Sequence, residues 1–430
     1  MTIGFYLNTA HLGPWNWASA LNGTRPLSGT DGGTVRMAHA LAERTPLRTT
    51  VYTTTAGARP NATAARPVRV PTLTAAIRRA HADGVDVLVF TSGDRPDVRA
   101  PLAEAEAVGL PCVAWCHNGP GREAAAQYAR NKAVRRIVCV SHPQADVYRD
   151  KRGFEKMAVV HNAVDTAAFA PPDEAVREPH TVCYVGALTP SKGFHHVARA
   201  WPRVRAAVPE ARLLVVGSAR LYDAGARLGP LQVAQEAYER EHLIPHLGAS
   251  QEEAKARWGV SFLGLLAPQA LRTVLHRATV GVVNPNTRHS LETFCIAAVE
   301  MQAAGVPVVG ARRMGLRETV CHHETGWLVD APSELEAVLV RLLREPRTTR
   351  RMRRAARQHA SRFTVEHGVA RWEAVLRNVA AGRPPTPVPL RPDVATPRTY
   401  LREALRRLHR MLGPGERFPP LDALLDRLRR

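Results

Sequence analysis

Strand-sized apolar runs separated by helix-length stretches organise the first part of the chain, at residues 3–7, 49–52, 85–90, 112–116, 137–140 and 158–160. That alternation predicts βαβ units, whose parallel strands are covered on both faces by crossover helices and so read as nearly unbroken apolar segments. The pattern pauses at Phe169-Ala170-Pro171-Pro172-Asp173-Glu174, a polar, proline-bearing stretch that predicts a linker. It restarts at residues 181–185, 212–217, 260–263, 280–283, 306–309 and 327–329. The expected fold class is therefore α/β, with two facing Rossmann-like, doubly wound domains. Ligands of open α/β sheets bind outside the carboxyl ends of the strands, so the active site is expected in the cleft between the two. The expected boundaries are a first Rossmann-like domain over 1–170, a second over 171–362, and a C-terminal helix over 363–380. A proline-rich spacer with a basic helical tail then fills 381–430.

Length and composition agree with this plan. At roughly 100–200 residues per domain, 430 residues make two or three packed cores. The longest apolar runs fall far short of the roughly 20 residues a membrane span requires. The opening Met1-Thr2-Ile3-Gly4-Phe5-Tyr6-Leu7 has no basic leader, so a cytoplasmic protein is expected. Cys112, Cys116, Cys139, Cys183, Cys295 and Cys321 form no Cys-x-x-Cys pair, and most lie in strand-like runs as small hydrophobes do. A net charge of +21 raises the question of nucleic acid, but only five of the 59 basic residues are lysine and aromatics make up 6%. Arginine spread through a whole chain, with no interleaved stacking platforms, is a background bias and not a nucleic-acid surface. The basic stretch 396–412, with arginines at 398, 402, 406, 407 and 410, reads as a solvated or packing helix, with peripheral contact to an anionic membrane as the alternative.

Chemistry concentrates between residues 290 and 309. Ser290-Leu291-Glu292-Thr293-Phe294-Cys295-Ile296 follows a strand and a loop and predicts the opening of a helix that runs to Gly305. A helix start collects unpaired N–H groups and the positive end of the dipole, so phosphate is its natural guest. On one helix, Glu292 and Glu300 would stand about 12 Å apart, too far to grip one group but suited to opposite ends of an extended ligand. A nucleotide sugar has that shape.

The Glu-x7-Glu spacing, the Ala-Gly-Val-Pro-Val-Val that follows it, Gly315-Leu316-Arg317-Glu318 and Thr325-Gly326-Trp327 together resemble the retaining glycosyltransferases of family 4. Val160-His161-Asn162-Ala163-Val164-Asp165, Tyr184-Val185-Gly186-Ala187-Leu188 and Ser191-Lys192-Gly193 match in order, and Gly29-Thr30-Asp31-Gly32-Gly33-Thr34 fits that family's glycine-rich acceptor-side loop. The resemblance covers about residues 1–380 and implies the GT-B fold, with 1–170 as the acceptor-side domain, 171–362 as the nucleotide-sugar-binding domain and the helix over 363–380 crossing back to the first.

Carried over position by position, it implies that Glu300 binds the donor ribose, that Glu292 lies beside the transferred sugar, and that Lys192 neutralises the diphosphate. Thr293, Phe294, Cys295 and Ile296 would offer backbone to sugar and phosphate, with Gly186 beside them. His117 would lie near the donor sugar, Asn118 on the acceptor side, and Gly32 and Gly33 against donor phosphate or acceptor. Two departures stand out: Ala187 where the family usually has arginine, and Cys295 where glycine is common. Arg272 and Arg288 are candidate replacements for the missing charge.

No Asp-x-Asp occurs. The expectation is a retaining, metal-independent transferase, with no cofactor beyond its donor, in which the acceptor attacks on the face that the diphosphate leaves. The donor is open among UDP-linked glucose or N-acetylglucosamine and GDP-mannose. The acceptor is a hydroxyl of a small natural product such as an aminocyclitol, of a polysaccharide precursor, or of a lipid carrier. A catalytically silent nucleotide-sugar binding protein is the alternative of another class, and the oligomeric state is open.

Overall fold

The computed structural model describes residues 1–389, apart from 13–14, 26, 56, 59–63, 93–97, 150, 152, 173–176, 222, 224 and 289–291, together with 404–405. The predicted basic helix over 396–412, Asp173 and Glu174 of the linker, and Ser290 and Leu291 lie outside the described residues. The chain divides into two compact units. The first comprises Met1–Asn16, Met37–His161 and the described residues from Val369 onward. The second comprises Trp17–Arg36 and Asn162–Gly368. Residues 17–36, expected in the first domain, thus group with the second.

The first unit is built on seven parallel strands: β1 (Thr2–Leu7), β2 (Arg48–Thr53), β3 (Arg66–Arg69), β4 (Val87–Thr91), β5 (Cys112–Cys116), β6 (Val134–Cys139) and β7 (Met157–Val159). Their order is β3-β2-β1-β4-β5-β6-β7, with the reversal between β1 and β4. Between β1 and β2 runs α1 (Gly29–Arg44). β3 was not foreseen, because a sheet-edge strand carrying Pro67 and two arginines lacks the apolar run that marks the central strands.

The second unit repeats the design with six parallel strands: β8 (Thr181–Val185), β9 (Arg212–Val216), β10 (Val260–Gly264), β11 (Val280–Val282), β12 (Val308–Ala311) and β13 (Gly326–Val329). Their order, β10-β9-β8-β11-β12-β13, reverses between β8 and β11. The helices that matter here are α2 (Phe194–Ala207), α3 (Pro268–Arg277), α4 (Ile296–Ala303) and α5 (Pro346–Ala360). Tyr184, Val215 and Val282 pack with Phe194, Trp201 and Val204 of α2 in one buried cluster. Trp201 keeps its polar handle satisfied by donating Nε1–H to the Trp258 carbonyl at 2.7 Å.

α6 (Val365–Ala380) carries Trp372, which is fully buried within the first unit. Its ring meets Trp115 edge-on at 4.6 Å and Phe5 at 6.4 Å. The proline-rich segment beyond α6 is docked on the same unit: Arg136 donates to the Arg383 carbonyl at 2.6 Å, Arg149 donates to the Pro389 carbonyl at 2.7 Å, and Val388 is buried in the core. Among the described residues, no helix is long and apolar enough to cross a membrane. Truncating an indole this enclosed leaves a cavity, so Trp372→Ala is expected to cost about 3–5 kcal/mol, read as a lowered urea midpoint of the full chain.

Candidate active site

At the reversal in the second unit, the loops leaving β8 and β11 diverge and open the crevice where doubly wound sheets take their ligands. After β8 come Gly186, the buried Ala187 and a single 3-10 turn, Pro190–Lys192. Gly193 closes the turn at φ 71°, and a Cβ there would fall 2.9 Å from the Cβ of Asn286 in the loop after β11. Glycine alone meets both demands. The Tyr184 hydroxyl donates to the Lys192 carbonyl at 3.0 Å and the Asn286 amide donates to the Pro190 carbonyl at 3.1 Å, which fixes the backbone under Lys192.

The Lys192 ammonium, so placed, donates to Glu292 Oε2 at 2.6 Å, and Asn284 Nδ2 donates to the same oxygen at 3.1 Å. The two charged side chains are only 23% and 13% exposed. Burial pushes the Glu292 carboxyl up, but the Lys192 charge and the hydrogen bonds from Lys192 and Asn284 outweigh it, and the net direction is down. Glu292 is therefore a carboxylate paired with a lysine.

The expected helix over residues 290–305 is corrected: α4 covers only Ile296–Ala303, so Glu292 and Glu300 do not share a helix. Cys295 immediately precedes α4 with φ 71° and ψ 78°, a left-handed conformation that cannot propagate a right-handed helix backwards. The Glu292 carbonyl accepts instead from the Gly315 N–H at 2.9 Å. This geometry also accounts for glycine as the family's usual residue at position 295. Thr293 is half-buried, Phe294 is buried edge-on against Phe363 at 5.3 Å, and Ile296 opens α4.

Glu300 lies on α4 and is half-buried. Burial raises its carboxyl to about 7, and the nearby Arg36 guanidinium opposes part of that rise. Arg36 is drawn down by burial and supported by Glu300 and Asp165. It comes from α1, and the expected glycine-rich loop is corrected here as well: Gly32 and Gly33 lie within the first turns of that helix. A Cβ on Gly32 would fall 2.8 Å from Arg36 Nη1, so glycine leaves the space that the folded-back guanidinium occupies. The Ser28 hydroxyl receives the Asp31 N–H at 3.1 Å and donates to the Asp31 carboxylate at 2.6 Å, capping the helix start.

His117 and Asn118 belong to the first unit, at the carboxyl end of β5. His117 is buried with its ring 4.3 Å from that of Trp115, and burial lowers it to about 3, so the imidazole is neutral at physiological pH. Asn118 is exposed. The structure therefore brings Lys192, Glu292, Glu300, Cys295 and Ile296 into one unit with Gly186, Gly32 and Gly33. Of the candidate replacements for the missing arginine, Arg272 is committed to the Ala168 carbonyl at 3.0 Å, and Arg288 follows Asn286 in the loop after β11, its N–H bonded to Asn286 Oδ1 at 3.1 Å. Asn284 and Arg36 were missed. The first sits two residues past a recognisable strand, whereas the second is one arginine among very many.

Two family models match end to end: Glycosyltransferase Family 4 over residues 31–168 and Glycosyl transferases group 1 over residues 168–359. A D-inositol 3-phosphate glycosyltransferase of Segniliparus rotundus is 34% identical over 240 residues, 53% of this chain and 49% of that protein. A GDP-mannose-dependent monoacylated alpha-(1-6)-phosphatidylinositol monomannoside mannosyltransferase of Corynebacterium glutamicum is 33% identical over 46% of each chain. The chain thus spans about half the length of these curated relatives. Sucrose-phosphate synthase from Thermosynechococcus elongatus superposes with a TM-score of 0.64 at 18% identity, covering 89% of this chain and 100% of its own. Anabaena HepE in complex with UDP-glucose gives 0.64 at 17%, covering 88% and 100%. Fold and site define a GT-B protein, two Rossmann-like α/β domains in one chain. The chain belongs to glycosyltransferase family 4.

At an ordinary position alanine is more stabilising than glycine, but at φ 71° the order reverses. Cys295→Gly is accordingly expected to exceed Cys295→Ala in stability by about 1 kcal/mol in urea unfolding.

Proposed function

We propose that the protein is a retaining, metal-independent glycosyltransferase that moves a sugar from a UDP- or GDP-linked donor to a hydroxyl of a phosphorylated cyclitol. The observation that carries this reading is the Lys192–Glu292 ion pair at the strand reversal, with Glu300 further along α4. The donor diphosphate competes with Glu292 for the Lys192 ammonium, which then stabilises the charge that grows on the leaving group as the glycosidic bond breaks. Charge of that kind, met by a preorganised cation, is often the largest catalytic term. Glu292, released from the lysine, accepts hydrogen bonds beside the sugar. Glu300 accepts the ribose hydroxyls. The UDP-glucose held by Anabaena HepE supports the donor class, and the inositol-bearing names of the relatives support the acceptor.

A thermal-shift panel of UDP, GDP, ADP and dTDP with their sugar conjugates tests the donor. One base should stabilise the wild type and lose its effect in Glu300→Ala. With the matching sugar nucleotide and inositol 3-phosphate, free nucleotide should be released, and Lys192→Ala should slow the release by about two to three orders of magnitude. Silence towards every nucleotide would sink the proposal, and binding without release would leave a nucleotide-sugar binding protein.

Acidity supplies a further check, because Glu300 titrates near 7. Above that value its carboxylate accepts both ribose hydroxyls, and below it protonation removes an acceptor. The affinity for the donor sugar nucleotide, whose diphosphate diester carries no titrating proton in this range, should weaken on acidification from about pH 8 to about pH 6. The slope approaches at most about tenfold per pH unit. Glu300→Gln should bind weakly with a flat profile in calorimetry.

A further inference from the structure

The second unit holds another concavity, of about 740 Å³, at the carboxyl end of α4, the end opposite Cys295. Among the described residues ten line it, seven of them arginines and none acidic. Most come from α5, where Arg347, Arg350, Arg354 and Arg357 recur every three or four residues along one face while Thr349, Met352 and Ala356 are buried. Among the described residues, none of these α5 arginines makes an ion pair with a carboxylate, whereas Arg78, Arg203 and Arg277 elsewhere do. Arg353 Nε is buried without a hydrogen-bond partner. Arg177, at the wall of the cleft, donates to the carbonyls of Ala278 and Ala304, and burial together with Arg353 and Arg357 draws it down to about 10.

Gathered guanidinium groups repel one another, and among the described residues no carboxylate pairs with the α5 arginines to offset that repulsion. They are donors in a planar fork that matches phosphate oxygens and have no acceptor capacity of their own. The volume lies in the range of pockets for small molecules, about 300–1,000 Å³, so it suits a compact ligand.

We propose that this cleft is a second anion site, separate from the donor site, that takes several clustered phosphate groups, either of a soluble polyphosphorylated small molecule or of anionic phospholipid headgroups. Titration of the full chain with sodium tripolyphosphate, in the presence of saturating UDP so that the donor site is not the one read, is expected to show one equivalent bound. Arg350→Gln/Arg354→Gln/Arg357→Gln, which alters exposed side chains only, should weaken that binding by at least about tenfold. Arg78→Gln/Arg203→Gln/Arg277→Gln, removing the same charge from paired surface positions, should not. Flotation with phosphatidylglycerol vesicles identifies the source. Loss of tripolyphosphate binding in the cleft variant assigns the site to a soluble ligand. Vesicle binding lost in the same variant, without tripolyphosphate binding by the wild type, assigns it to headgroups. Binding of neither probe, equal losses in both triple variants, or displacement of tripolyphosphate by UDP would overturn the proposal.

Discussion

The charged pair of Lys192 and Glu292 stands where the second sheet reverses its strand order. β8 and β11 pair in parallel and, Thr181 apart, bury apolar or weakly polar side chains, so charge there would be desolvated without repayment. Beyond their carboxyl ends the loops part, and Lys192, Asn284 and Glu292 converge. Taking both ions partly out of water costs several kcal/mol, repaid only by close geometry and added hydrogen bonds. The 2.6 Å contact and the Asn284 amide supply these. Under the proposed function, exchanging this carboxylate for a diphosphate would use a lysine already charged and positioned.

Much of the architecture was legible, because a strand buried on both faces has no freedom to be anything but apolar. The twelve strands expected from apolar runs all have counterparts, displaced by at most three residues at their ends. The edge strand β3 escaped because Arg66, Pro67 and Arg69 face conditions in which a continuous apolar run is not required. The start of α4 escaped for a different reason. Thr293, Phe294 and Cys295 are compatible with helix by type, and only the left-handed φ of Cys295, a tertiary property, ends it there. Residues 17–36 were assigned by sequence order to the first domain, whereas contacts such as Gly29 against Ile296 join them to the second unit.

Arginine posed the harder problem. With so much of it spread through the chain, composition treats each one as background, and Arg36 was lost in that background along with the α5 face. Partners separate them. Arg78 meets Glu104 at 2.9 Å and Arg277 meets Glu178 at 2.7 Å, exposed pairs worth little to stability but sufficient to cancel charge locally. Arg36 faces Glu300 in a sheltered place, where the opposing effects of burial and attraction keep the carboxyl near neutrality. Among the described residues, the α5 arginines have neither kind of partner.

The two departures from the family pattern also have unequal consequences. Ala187 is 1% exposed in the turn after β8, so its methyl group is packed and adds no charge towards a diphosphate. Under the proposed function, Lys192 and the amino end of α4 would then be left to meet the leaving group. Cys295 sits at that amino end, in a conformation that costs a non-glycine residue about 1–2 kcal/mol. A thiolate there would repel phosphate. Burial first, and then the neighbouring Glu292 carboxylate, push the thiol far above its ordinary range, so it stays neutral and the helix start keeps its attraction for an anion. Cysteine therefore adds backbone strain to the position without adding negative charge, and the amino end of α4 keeps its positive dipole end free of an added anion.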